Sequence, residues 1–498
     1  MRVPGIRAHG KQTAAEPVPG HLGRRQFLIA GGAAAALFGG SSVRGRPAAA
    51  NPAVTGSWTK PFNLTLVSIH AVVLHTGRVL LFSWPNKTVG SDAVLWDPAS
   101  GKITNVALSY QRDIFCSGTS VLPDGRVFVA GGHLYQGVFG NGVVNTTIFD
   151  PAANSWTEGP LMAQPRWYPT TAQLGDGSVM IFGGTTTLKV NAIKVNHYDP
   201  AGNSMHTAPA SANRAMLTYP RMKLTTSGLL AWTNLATTNF FHPATSTWSA
   251  GPKLHSGGRG LTDTSVLLPG LTRIMEIGGS TASGPTASCE ILDLSATPMA
   301  WKATGSMHHP RLWANTVLLA DGTVLVVGGG RLGSFGDPVF SAEMYHPASG
   351  TWTMMAAQTA PRMYHSTAVL LPDGRVLSAG ESHGRLAQTG EIFSPPYLFK
   401  GARPKISSAP ATLGYGQAFT VGTPNAASIR RVALVKAAAV THSDNFDQRY
   451  VDCAFSAGGG KLHATSPPNS NHAPPGWYMV FLVNAAGVPS VAHWVRVG

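Results

Sequence analysis

The chain is short of charge, of cysteine and of long apolar runs, and each shortage narrows what it can be. Charged residues make up only 12% of the 498 positions while Gly (57) and Pro (36) are plentiful, a balance that fits a turn-rich all-β protein better than a helical one. No apolar run approaches membrane-spanning length. The formal charge of +15 suggests an anionic partner at first sight, but residues 1–50 hold seven Lys/Arg against one Glu, which leaves +9 for the rest. Those remaining basic residues are scattered, with no Lys/Arg block and no basic helix, so a solvated basic surface is expected and nucleic acid is not. Acids are few and sit mostly in turns or repeat motifs, against a hydrolase that needs paired carboxylates. Cysteine is limited to Cys116, Cys289 and Cys453, and an odd number asks what the leftover thiol does. One answer is a Cys289–Cys453 disulfide with Cys116 committed elsewhere; sequence does not show that pairing.

What is present begins with the N-terminus. Arg24-Arg25-Gln26-Phe27-Leu28 opens an Ala/Gly-rich apolar stretch through Phe38, and Ala48-Ala49-Ala50 supplies small residues for cleavage. Residues 1–50 therefore read as a twin-arginine-type signal, with an ordinary secretory signal as the alternative, and the mature chain is expected to start near Asn51 and work outside the cytoplasm. At 498 residues the chain exceeds what one hydrophobic core usually organises.

A module recurs about seven times. Its first half is an apolar run, a tight turn and a second apolar run, with turn glycines at Gly77, Gly125, Gly177, Gly228, Gly270, Gly322 and Gly374. Gly-Gly follows at 131, 183, 278 and 328. Its second half is an aromatic or apolar residue, a polar one, usually Pro, then a Trp, as in Phe149-Asp150-Pro151 with Trp156 and Tyr345-His346-Pro347 with Trp352. A spacing near 50 residues with four short strands per unit predicts a seven-bladed kelch-type β-propeller over 51–398, with segment 51–71 adding a strand to the last blade. Beyond Arg403-Pro404 the repeat stops, and apolar runs such as Arg431–Val435 and Trp477–Val483 predict a C-terminal immunoglobulin-like β-sandwich over 402–498.

Fold alone does not decide function. Four segments do more: Asp113-Ile114-Phe115-Cys116-Ser117-Gly118, Arg166-Trp167-Tyr168-Pro169, Arg362-Met363-Tyr364-His365-Ser366, and Thr441-His442-Ser443 followed by Asp447-Gln448-Arg449. On these the chain resembles the galactose oxidase and glyoxal oxidase family of copper-radical enzymes, over almost all of residues 60–498. The resemblance implies a copper ion held by Tyr168, Tyr364, His365 and His442, and a Cys116–Tyr168 thioether that carries a radical. Imidazole and phenolate ligands in a tetragonal set suit Cu(II). Alcohol oxidation removes two electrons and Cu(II) accepts one, so the thioether would supply the second equivalent, while Tyr364 would take the substrate hydroxyl proton. Trp167 and Arg259 are weaker expectations for substrate binding, and Cys289 and Cys453 read as structural. Galactose oxidase has a Trp after its Gly-Gly that covers the thioether, whereas Gly183-Gly184 here is followed by Thr185-Thr186-Thr187. With that Trp gone, and with no room for an N-terminal carbohydrate-binding domain, the resemblance leans to the glyoxal-oxidase side. The expected reaction is oxidation of a primary alcohol or small aldehyde by O₂ to give H₂O₂, without nucleic acid or a transmembrane segment. A propeller that binds glycan or protein without turnover is the alternative.

Overall fold

The computed structural model describes residues 51–84, 90–108, 113–134, 140–381, 384 and 386–498; the export signal read at 1–50 lies outside them. The fold is all-β, with one short α-helix at Pro52–Thr55. Among the described residues seven main antiparallel sheets follow one another along residues 57–394: six are built on four strands in chain order, three of these with a two-stranded hairpin inserted after the second strand, and the seventh pairs three strands with two short N-terminal ones. In the second, Gly118–Val121, Val127–Ala130, Thr146–Asp150 and Ser155–Glu158 lie in chain order. The first two strands of each sheet are buried throughout, as the apolar runs flanking the turn glycines predict, and the last strand is largely solvated.

The repeat motifs turn out to be joints between sheets. Trp156 donates its indole N–H to Val106 O at 2.6 Å, Trp248 to Ala212 O at 2.9 Å and Trp352 to Gly305 O at 2.7 Å, so the Trp on each fourth strand reaches into the preceding unit. The Gly-Gly pairs admit the following unit. A Cβ on Gly131 would stand 2.4 Å from Arg166 O, and one on Gly328 would stand 2.2 Å from Arg362 O. Only glycine permits that approach, and φ is +76° and +67° at these two positions. In four of the units an arginine four or five residues before the first strand is buried beneath it. Arg166, Arg259, Arg311 and Arg362 donate to the carbonyls of Gly183, Gly278, Gly328 and Gly380, and the last three also pair with Glu290, Glu343 and Glu391.

The N-terminal segment joins the last sheet: Ser57 and Trp58 pair with Ser394 and Phe393, and Phe62–Asn63 with Gly390 and Thr389. After Arg403 two further sheets form, of five and three strands, which contribute Val432, Leu434, Tyr478 and Val480 on one side and Phe419, Val421 and Leu462 on the other to a single apolar cluster. One hairpin of this C-terminal region leaves its own sheets. Ala439–Thr441 pairs with His70–Val72 of the first repeat sheet and turns back through Asp444–Asn445. No disulfide joins any of the three cysteines, which lie in different parts of the fold, so the Cys289–Cys453 disulfide considered above does not form. Cys289 is packed in the core of the fifth and sixth sheets and Cys453 in the C-terminal core.

Candidate functional site

In several repeat units the loop that enters the first strand packs against the Gly-Gly pair of the preceding unit, as Arg166 does against Gly131 and Arg362 against Gly328. Several of these loops end on a non-glycine residue in the left-handed region: Cys116 (φ 55°), Tyr168 (63°), Tyr219 (46°), Trp313 (61°) and His365 (69°). Such conformations are unfavourable for L-residues and survive where the surroundings over-determine them, commonly at functional sites. Here they gather side chains from distant units.

Cys116 Sγ lies 3.4 Å from His442 Nε2 and 4.0 Å from His365 Nε2, and the ligand atoms of these three residues all fall within 4.8 Å of one another. Tyr168 and Tyr364 meet hydroxyl to hydroxyl at 2.5 Å. The Tyr168 ring is 5.0 Å from that of His442, and the Tyr364 ring stacks on His365 at 3.8 Å. All five are buried or nearly so. Burial pushes the Tyr168, Tyr364 and Cys116 groups up and the His442 imidazole well down, so burial favours the neutral form of each of these four. Thr441 Oγ1 and His442 Nδ1 share a 2.6 Å hydrogen bond, which leaves Nε2 as the ligating nitrogen.

This donor set fits copper. The ring nitrogens of His365 and His442 lie within 4.8 Å of each other, the Tyr168 and Tyr364 rings lie against these imidazoles, and the phenol oxygens are 2.5 Å apart, a contact whose proton a divalent cation would displace.

His442 is delivered by a strained turn. Thr441 pairs with Asp444 across a two-residue hairpin whose central residues, His442 and Ser443, have φ of 46° and 67°. That geometry prefers Asn-Gly. The fourth repeat clamps it: Lys223 Nζ reaches Asp444 Oδ1 at 2.6 Å, and Arg221 donates to His442 O at 3.2 Å while pairing with Asp263 at 3.2 Å. Arg221 and Lys223 escaped the sequence reading because they resemble an ordinary alternating strand.

The weaker expectations divide. Trp167 is buried with its ring 4.5 Å from Tyr168 and 5.1 Å from His133, beside the cluster. Arg259 is not brought to it. Its guanidinium is 1% exposed and is consumed by Gly278 O, Ser288 and Glu290, the same duty that Arg311 and Arg362 perform in their units. These contacts give Arg259 a packing role, and none of them is with the Cys116, His365 and His442 group. Residues not foreseen at the site are aromatic: Trp313 stands 4.6 Å and Phe335 5.9 Å from Tyr364, while Trp84 and Phe115 stand 5.9 and 5.4 Å from His365. Thr186, in the position of the missing Trp, is held by Val190 O at 3.3 Å.

Comparison with known proteins agrees with this geometry. Residues 85–394 match the family described as Glyoxal oxidase N-terminus, and residues 403–497 match the Galactose oxidase-like, Early set domain. The chain is 29% identical to a galactose oxidase of Gibberella zeae over 495 residues, covering 89% of this chain and 70% of that protein. It is 30% identical to the aldehyde oxidase GLOX of Vitis pseudoreticulata, covering 81% of this chain and 85% of that one. Among solved structures, a fungal alcohol oxidase of the AA5 family in complex with copper superposes with a TM-score of 0.79 at 25% identity, over 89% of this chain and 99% of the other.

Proposed function

The chain belongs to the galactose oxidase and glyoxal oxidase family, the copper-radical oxidases, and from that premise we propose which of its residues do the chemistry, on what substrate and where. Tyr168, Tyr364, His365 and His442 hold the copper, and Cys116 is joined to Tyr168 by a thioether. The observation that carries this assignment is the convergence of two imidazole Nε2 atoms on Cys116 Sγ beside phenol oxygens 2.5 Å apart.

A copper(II) ion held by these four residues would supply an acceptor for one of the two electrons that alcohol oxidation releases. The chain supplies the rest. The Cys116–Tyr168 unit, whose sulfur would spread an unpaired electron over the ring, would take the second electron with one proton, that is, one hydrogen atom from the substrate carbon. Tyr364, stacked on His365 and touching Tyr168, receives the substrate hydroxyl proton. O₂ then collects two electrons and two protons and leaves as H₂O₂.

The seven sheets are read as blades of a kelch-type propeller over 51–398 and the last two as a sandwich over 402–498. Contacts between first strands of successive units support a closed ring: Thr264 with Thr316 at 2.7 Å, Asn315 with Ser366 at 2.9 Å, and Ser68 of the first unit with Thr367 of the last at 2.9 Å. The twin-arginine signal at 1–50 would place the enzyme outside the cytoplasm, and no helix among the described residues is long and apolar enough to cross a membrane.

The substrate is a small aldehyde, acting as its hydrated diol, or a small primary alcohol. Trp84, Phe115, Trp313 and Phe335 crowd the exposed side of the cluster, and bulky sugars would need polar partners that these rings do not offer. A peroxidase-coupled assay on copper-loaded protein tests this: glyoxal, methylglyoxal or glycolaldehyde should give a higher kcat/KM than D-galactose. A clear preference for galactose over every small aldehyde would overturn the substrate reading while leaving the oxidase reading standing.

A further inference from the structure

The motif Asp447-Gln448-Arg449 has no part in the chemistry above, yet it is buried where the C-terminal region meets the repeats. Arg449 is 4% exposed and Gln448 9%. With Lys436, Lys223 and Gln173 they line a small polar cavity between that region and the third and fourth repeat sheets. The charges around it do not balance. Lys223 is paired with Asp444 at 2.6 Å, Lys436 with Asp447 at 2.9 Å, and Arg221 with Asp263 at 3.2 Å. Among the described residues no carboxylate pairs with Arg449, whose Nη2 donates only to Leu224 O at 3.1 Å.

Donors are also in excess. The donors Arg449 Nη1 and Gln448 Nε2 have no partner, with Gln448 Oε1 the one unpartnered acceptor among the atoms of these two residues, and Lys223 and Lys436 line the same space. An unpaired guanidinium in a buried site is costly and calls for a negative acceptor. We propose that the cavity binds one small monovalent anion of halide size, chloride, held by Arg449 Nη1 and Gln448 Nε2. The bound anion fixes the segment 444–449 against the repeats, next to the turn that carries His442. The assignment does not depend on the copper reading.

Crystals of the full chain soaked in bromide, measured at the bromine absorption edge, should show an anomalous peak within hydrogen-bond distance of Arg449 and Gln448. In solution the melting temperature should rise with chloride, by about 2 °C per tenfold increase above the dissociation constant, and not with gluconate at equal ionic strength. Gln448→Glu sets a carboxylate beside Arg449 and should remove both the bromide peak and the chloride dependence. A cavity filled by water alone in bromide, or a chloride-specific rise that survives Gln448→Glu, would overturn the proposal.

Discussion

Single residues at this site are defined by burial. The Asp113 carboxyl, three positions before Cys116, accepts from Ser91 Oγ and from Phe115 N, both at 2.8 Å, yet burial pushes it up to about 7. Because the folded value lies above the unfolded one near 3.8, the stabilisation it confers is full below about pH 4 and is lost as the pH rises toward 7. Asp113→Asn keeps both acceptor bonds and has no charge to ionise, so its melting temperature relative to wild type should climb between pH 4 and 7. A difference that stays constant across that window would show the carboxyl to be unperturbed. His365→Ala and His442→Ala should each abolish copper retention, read by metal analysis after dialysis, while the far-UV circular dichroism stays that of wild type. Arg259→Ala should behave differently again. It leaves Glu290 buried without its cation, at a cost of about 3–5 kcal/mol in unfolding, and it should leave the order of preference among substrates unchanged.

At the scale of elements, the decisive ones are the loop ends before the first strands and the single hairpin that crosses from the C-terminal region. Cys116, Tyr168, Tyr364, His365 and His442 are named from the sequence through their segments' resemblance to the family, not through spacing or composition. Trp313 and Tyr219 are not, although a signal exists. An aromatic two places after the repeat arginine recurs in Arg166-Trp167-Tyr168, Arg311-Leu312-Trp313 and Arg362-Met363-Tyr364. The hydrogen bonds of Arg259 place it in the same arginine series as Arg311 and Arg362. The hairpin makes its own prediction. Ser443→Gly relieves a left-handed φ of 67° and should stabilise the fold by about 1 kcal/mol with copper retained. Lys223→Met strips Asp444 of its 2.6 Å partner and should weaken copper binding in a titration, whereas unchanged affinity would mean that the turn holds itself.

The molecule as a whole is a repeat array that gains a site only where its symmetry is broken. Periodic glycines and tryptophans made the sheets legible in advance, since each marks a joint that every unit needs. That residues from the second, third and seventh units and from a C-terminal hairpin come together is expected only through the family resemblance, because no local pattern encodes a contact between segments so far apart in the chain. The central claim is that this meeting point is a copper site with a cross-linked Cys116–Tyr168 pair, and intact-mass analysis with peptide mapping of the copper-treated, aerated protein tests it most directly. The account predicts a loss of two hydrogens, about 2 Da, with Cys116 unavailable to alkylation and its peptide joined to that of Tyr168, a coupling that starts from a thiolate formed at the metal. An unchanged mass with Cys116 recovered as a free, alkylatable thiol after copper loading would contradict it.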